Sequence, residues 1–253
     1  MALLSVPYHL DELLPDFRVP TRDASETLVE ELPDGDVWSR TAHLHGAVAE
    51  RVADHVRGGR RPVVLSGDCM VALGTAAGVQ RAGLDPAVVW FDAHGDVQTM
   101  ETSTSGYVGG IPLRVLAGYR PDPAVDRLGL AVVPEERVLL VDGRDLDPPE
   151  EEYLRGAAVR RSTVAGVGPD TLPDGPLLLH VDLDVIDPGD VPGFLFPTPG
   201  GPGAGAVVEA VRRVTDTGRV VALSVGCTWS PAGDDDPDGV RGRLLDDLLG
   251  ARP

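Results

Sequence analysis

Lysine and asparagine are absent from the 253-residue sequence, and isoleucine occurs only as Ile111 and Ile186. All three are written in AT-rich codons, so their scarcity reflects the coding DNA rather than function. Aromatic residues make up only 4%, so aliphatic side chains must dominate the core. Two cysteines, Cys69 and Cys227, do not make a disulfide framework. Positive charge is scarce: 22 basic residues stand against 40 acidic ones, a formal net charge of -18. That balance argues against sequence-independent binding to nucleic acid and against docking on anionic lipid. No apolar run is long enough to span a bilayer. Met1 to Pro20 lacks a basic segment followed by a long apolar stretch, with Asp11 and Glu12 already present. The expectation is a cytoplasmic chain with neither a membrane nor a nucleic-acid partner.

What is present is ordinary for a globular protein: 42% hydrophobic and 25% charged residues. A chain of this length hides roughly 75% of its unfolded surface on folding. Apolar periodicity predicts helices over His45–Val56, Val71–Gly83, Pro112–Ala117, Pro148–Leu154 and Gly203–Val214. A last helix follows the cap Asp236-Pro237, with Val240, Leu244, Leu245 and Leu248 on one face. Short apolar runs at Pro62–Leu65, Ala87–Phe91, Arg137–Val141, Leu177–Val185 and Val220–Val225 read as strands. Strands alternating with helices, and apolar throughout, predict an α/β fold: a mainly parallel sheet covered on both faces, in one domain over residues 1–253. Gly200–Gly205 is too short for a linker, and no strand leads directly into it as a nucleotide loop would require.

In open parallel sheets functional residues gather at the carboxyl ends of strands, and here those ends are rich in Asp and His. One strand runs into Ser66-Gly67-Asp68-Cys69, the next into Asp92-Ala93-His94-Gly95-Asp96, and a third into His180-Val181-Asp182-Leu183-Asp184. Alternate side chains of a strand share a side, so Asp92, His94 and Asp96 start together, as do His180, Asp182 and Asp184. A single Asp-x-Asp is usually a turn or a helix cap. Two such clusters, each directly after a buried strand, are costly to assemble unless a cation sits among them. Mixed carboxylate and imidazole ligands suit manganese, iron or zinc.

Asp92-Ala93-His94-Gly95-Asp96 resembles the ureohydrolase signature Asp-Ala-His-x-Asp, and His180 to Pro188 resembles the second signature, Ser-x-Asp-x-Asp-x-x-Asp-Pro. Ser66 to Cys69 is similar to Gly-Gly-Asp-His, and Gly143 to Glu150 to the Gly-x-Arg-Asp-x-Asp segment between the two. The motifs fall in order over roughly Val63 to Pro231, and on them the chain is identified as a member of the arginase–agmatinase–formiminoglutamase (ureohydrolase) family. That resemblance implies an arginase-like three-layer α/β/α fold and two Mn2+ per chain. One ion would take Cys69 and Asp96, the other His94 and Asp184, with Asp92 and Asp182 bridging. It also implies hydrolysis of a guanidino or related C–N bond by a metal-bridging hydroxide, which Asp96 would orient. A homo-oligomer is compatible with it.

Three positions depart from the pattern. Cys69 stands where the family has a metal-binding His, and its sulfur shifts preference toward Zn2+ or Fe2+. Gly109 stands where arginases carry a proton-moving His; His180 is either its substitute or, the more ordinary reading, a satisfied histidine behind the metal ligands. Thr228 stands where the family has a Glu for the substrate guanidinium, so plain arginine is not the expected substrate; Glu101 either supplies the missing charge or, the more ordinary reading, is a solvated loop residue. Gln98, Ser103 and Ser105, with Asp147 opposite, fall where arginases bind the amino-acid end of the substrate. Cys69 and Gly109 together resemble the family relative that hydrolyses N-hydroxyarginine in D-cycloserine biosynthesis, though that relative keeps the Glu that Thr228 replaces. Two readings stay open: a dinuclear hydrolase acting on a guanidino, hydroxyguanidino, amidine or amide small molecule, and a metal-binding but catalytically silent relative acting as partner or regulator. A deacylase would need a His pair that this sequence lacks.

Overall fold

The computed structural model describes residues 1–17, 25–230, 236 and 239–250. Pro231 and Pro237, named in the sequence reading, lie outside the described residues.

The apolar run at the start of the chain forms the first strand, β1 (Ala2–Val6), all five residues of it buried. A two-residue hairpin follows, β2 (Tyr8–His9) against β3 (Glu12–Leu13), then β4 (Ser25–Thr27). Helix α1 (Val37–Arg57) begins eight residues before the apolar periodicity does, because the Asp36 carboxylate accepts from Ser39 N and caps it. After β5 (Pro62–Ser66) comes α2 (Val71–Arg81), whose residues Val71 to Val79 are all buried. A helix buried on every side must be met at close range. A Cβ on Gly74 would fall 2.8 Å from His45 O of α1, and one on Gly78 2.6 Å from Ala49 O.

Strand β6 (Ala87–Asp92) leads through a long loop to α3 (Pro112–Leu116) and α4 (Pro123–Asp126). β7 (Val138–Asp142), α5 (Pro148–Gly156), the short edge strand β8 (Arg160–Ser162) and β9 (Leu177–Asp182) follow. The expected strand to Val185 stops at Asp182: Leu183–Val185 is one 3-10 turn, begun where the Asp182 carboxylate accepts from Asp184 N. α6 (Ala204–Thr215), β10 (Val220–Gly226) and α7 (Val240–Leu248) complete the described chain. Asp236 caps α7, accepting from Val240 N and Arg241 N.

The main sheet has eight strands in the order β4-β1-β5-β10-β9-β6-β7-β8, all neighbours parallel. Strand alternation divides its side chains between two cores. Val64, Val88, Trp90 and Leu178 pack with Leu44 and Val48 of α1 and with α2. Val63, Val89, Phe91 and Leu179 pack on the other face with Val207 of α6 and Leu244 of α7. The result is three layers, helix–sheet–helix, with β5, β10, β9 and β6 side by side at the centre. No helix among the described residues is long and apolar enough to cross a membrane.

Candidate metal centre and substrate pocket

The four central strands all deliver their carboxyl ends to one place. The β5 end turns sharply at Gly67, where a Cβ would lie 2.6 Å from Tyr8 O. Asp68 is structural: its two oxygens accept from Leu10 N and Met70 N, both at 2.6 Å, so it ties the hairpin to the start of α2. Cys69, 4% exposed, donates through Sγ to Asp182 Oδ2 at 2.7 Å. Burial, then the carboxylates of Asp182, Asp96 and Asp92, push its thiol well above the usual range, so in the metal-free chain it holds its proton.

Strand β6 ends in Asp92. Its Oδ2 accepts from Trp90 Nε1 at 3.1 Å and its Oδ1 from His94 N at 2.7 Å. The His94 ring sits between two carboxylates, with Nδ1 3.3 Å from Asp92 and 3.2 Å from Asp184. Burial pulls His94 down, but these two carboxylates outweigh it and hold the ring up at about 12. Asp96 adopts a left-handed backbone (φ 54), which turns the chain away from the strand, and its Oδ2 is buried without a hydrogen-bond partner. Burial, then Asp92 and Asp182, push Asp96 up; burial, then Asp184 and Asp92, do the same to Asp182. Burial and Asp92 raise Asp184 to about 6.

Two groups of ligand atoms result, each with all members within 4.8 Å of one another: Cys69, Asp92 and Asp96, and Asp92, His94 and Asp184. Asp92 belongs to both. Asp182 is in neither group; its carboxylate accepts instead from Cys69 Sγ, Asp184 N and Thr228 Oγ1, the last at 2.7 Å. Asp96, Asp182 and Asp184 are raised by burial and neighbouring carboxylates, and Asp92, against its burial, is held down by His94; with an orphan carboxylate oxygen and a thiol among them, they fit a pair of divalent cations on charge and donor type. Behind them, Arg144 braces the strand ends, pairing with Asp142 and donating to the carbonyls of Val185, Asp184 and Thr198.

A cavity of about 160 Å³ opens over this cluster, small-molecule sized, with Cys69, His94, Asp96, Asp182, Asp184 and Thr228 in its lining. Gln98, Ser103, Ser105 and Asp147 line it as well. Gln98 Nε2 donates to Asp147 Oδ2 at 2.8 Å, and its Oε1 accepts from Thr102. Glu150 also faces the cavity, but its oxygens are spent on Val97 N and Asp147 N, locking the loop to α5.

Two expected residues are not brought there. His180 does not line the cavity; it is fully buried, stacked on Trp90 at 3.7 Å, with both ring nitrogens lacking a hydrogen-bond partner. It sits one pleat below Asp182 on the α1–α2 side, where burial holds its ring down at about 3. Glu101 is exposed and turned to Tyr119, whose hydroxyl donates to it at 2.9 Å. The sequence reading gave no individual role to Trp90, His9, Tyr107, Glu150 and Phe196. Trp90 carries a readable signal, two residues before Asp92 on the same strand side. His9 carries none, because nothing in its segment announces a hairpin reaching the far strand ends.

Comparison with known proteins gives the same picture. The Arginase family model matches residues 10–237. An arginase from Eremothecium gossypii is 32% identical over 232 residues, 83% of this chain and 56% of that protein. The N(omega)-hydroxy-L-arginine amidinohydrolase of Streptomyces lavendulae is 30% identical over 217 residues, 82% of this chain and 77% of its own length. The chain spans little more than half the length of the curated arginases it matches, 56–58% for those of E. gossypii, Bacillus caldovelox and Bacillus subtilis. Among solved structures, arginase from B. caldovelox superposes with a TM-score of 0.78 at 25% identity, covering 99% of this chain and 98% of that one. Formimidoylglutamase from B. subtilis, at 0.71 and 18% identity over 98% and 86% of the two chains, shares the fold. With the signature residues converging at one pocket and the family match running over nearly the whole length, this chain belongs to the arginase family.

Proposed function

We propose that the chain is a hydrolase that holds two divalent metal ions, Mn2+ first among them, and cleaves a C–N bond of a small molecule other than plain arginine. The observation that carries this reading is the pair of ligand groups sharing Asp92 beneath one cavity. Metal ions held there would supply Lewis acidity and lower the pKa of a water near the reacting carbon. Cys69, Asp92, His94, Asp96, Asp182 and Asp184 are the proposed ligands. The sulfur of Cys69 makes Zn2+ or Fe2+ competitive. Asp96, with its unpartnered oxygen, is the proposed orienting group for the attacking water. Gln98, Asp147, Ser103 and Ser105 are the proposed contacts for the far end of the substrate.

The substrate class follows from charge. Thr228 is neutral and its hydroxyl is engaged with Asp182. The Glu101 carboxylate is turned to Tyr119. Neither therefore offers a negative partner to a buried guanidinium or amidinium, which favours the less basic hydroxyguanidino or the neutral amide group. One eight-stranded sheet draws strands from both ends of the described chain, which supports reading residues 1–253 as one domain. A second reading, a metal-binding but silent relative, is favoured by the placement of His180 outside the cavity. The experiment is a panel of L-arginine, N-hydroxy-L-arginine, agmatine and simple amidines and amides on manganese-loaded protein. Hydrolysis of a member other than L-arginine, lost in Asp92→Ala, supports the enzyme. No turnover of any member by fully loaded protein would favour the silent relative.

A further inference from the structure

Gly109 lines the cavity with no side chain of its own, yet the space above its Cα is filled. A Cβ built there would collide with Cε1, Cζ and the hydroxyl of Tyr107. Tyr107 therefore occupies the volume that a side chain at 109 would need, and it too lines the cavity. Phe196 packs on it at 5.3 Å. Its hydroxyl lies 3.1 Å from His9 Nε2, while His9 Nδ1 lies 3.0 Å from Gly67 O. A carbonyl only accepts, so Nδ1 carries a proton and Nε2 of the neutral ring is bare. The Tyr107 hydroxyl then donates to Nε2, and its own lone pairs are left to accept.

His9 is itself fixed in place. Leu10, at the tip of the hairpin, holds a left-handed backbone (φ 54) that bulky residues rarely adopt. It is kept there by the 2.6 Å bond from its N–H to the buried Asp68. Gly67 N donates to Tyr8 O at 2.9 Å, fastening the hairpin to the end of β5. The rings of His9 and Tyr107 lie 6.0 Å apart and nearly parallel, at 15°. Of the carboxylates in the cavity lining outside the proposed ligands, Glu150 accepts from two backbone N–H groups and Asp147 accepts from Gln98.

We propose that Tyr107 is a specificity residue, an uncharged acceptor for an N–H or N–OH donor on the substrate head, and that His9 is the positioning residue that aims it by accepting its hydrogen bond. This rests on the C–N hydrolase reading. A neutral acceptor suits a substrate head of low charge, in keeping with Thr228. No proton is transferred through the pair.

The test compares wild type, Tyr107→Phe, His9→Gln and His9→Leu, each loaded with metal and assayed for its content, in binding and turnover of N-hydroxy-L-arginine and L-arginine. Losing one hydrogen bond to the substrate should weaken Kd and KM by about tenfold in Tyr107→Phe, with kcat and metal content close to wild type. Gln can donate one amide hydrogen to Gly67 O and accept from Tyr107, so His9→Gln should bind nearly as wild type while His9→Leu follows Tyr107→Phe. The ring 15N shifts of His9 in zinc-loaded protein should report a protonated Nδ1 and a bare Nε2. Unchanged affinity in Tyr107→Phe, a loss in kcat alone, or the opposite tautomer would overturn the inference and leave the hydrolase reading standing. Fully loaded wild type that binds neither compound would overturn this inference and the guanidino part of that reading together.

Discussion

At the scale of single residues, the carboxylates at the strand ends explain one another. Asp96 is the most exposed to test: its left-handed backbone accepts Asn as readily as Asp, and its orphan oxygen contributes no hydrogen bond. Asp96→Asn should therefore leave the metal-free chain at least as stable as wild type at neutral pH, because a carboxyl that burial and its neighbours raise is removed. It should also lower metal content below two per chain, read by denaturant melts and elemental analysis. Cys69→Ser makes a different distinction. It replaces sulfur by a harder oxygen and should weaken zinc by at least tenfold more than manganese in competition titrations. What was legible at this scale is the Asp-x-His-x-Asp pattern, because strand alternation is a local rule and the motif needs nothing else. His180 shows where the same rule misleads. It shares a strand side with Asp182, but it lies one pleat deeper, against Trp90, where the sheet is already covered by α1 and α2. Glu101 needed the position of Tyr119, which no local pattern supplies.

At the scale of elements, the buried strands β5, β6, β7, β9 and β10 stand out as apolar runs because both of their faces are covered. The edge strand β8, reading Arg160-Arg161-Ser162, has no such signature, since it is largely solvated. β1 is as apolar as the others, but an apolar segment at the start of a chain has no preceding helix to mark it as one of an alternating series. Strand order was not legible either, and it is the order that matters. β5, β10, β9 and β6 are distant in sequence, and only their adjacency brings Cys69, Thr228, Asp182 and Asp92 together. The contact between α1 and α2 depends on Gly74 and Gly78, where a Cβ would meet backbone oxygen rather than a movable side-chain end. Gly78→Ala should destabilise the chain by about 1–3 kcal/mol through overpacking, more than its helix propensity returns. Equal or higher stability in urea would mean that the two helices do not pack at this distance.

At the scale of the whole molecule, a net charge of -18 is mostly a solubility property, but part of it is concentrated where it costs stability. Asp184 is raised from 3.8 to about 6, and burial and neighbours also raise Asp96 and Asp182. A raised folded-state pKa gives stability that is present below the unfolded value and lost as pH rises through the folded value. For Asp184 in the metal-free chain that window runs from about 4 to about 6. His94, raised from 6.5 to about 12, keeps its contribution below 6.5 and loses it only towards 12. Cations bind the deprotonated ligands and relieve their repulsion. The manganese-dependent rise in Tm should therefore be larger at pH 7.5 than at pH 5.5, and a rise independent of pH would contradict this account of the site.

The most direct measurement is metal content per chain after reconstitution with manganese and, separately, with zinc. The account predicts about two ions per chain in wild type. Because Asp92 alone belongs to both ligand groups, Asp92→Ala should bind fewer than one, while Cys69→Ala or Asp184→Ala should each retain about one. One ion or fewer in wild type under every condition, or two ions retained in Asp92→Ala, would contradict a dinuclear centre built on that shared carboxylate.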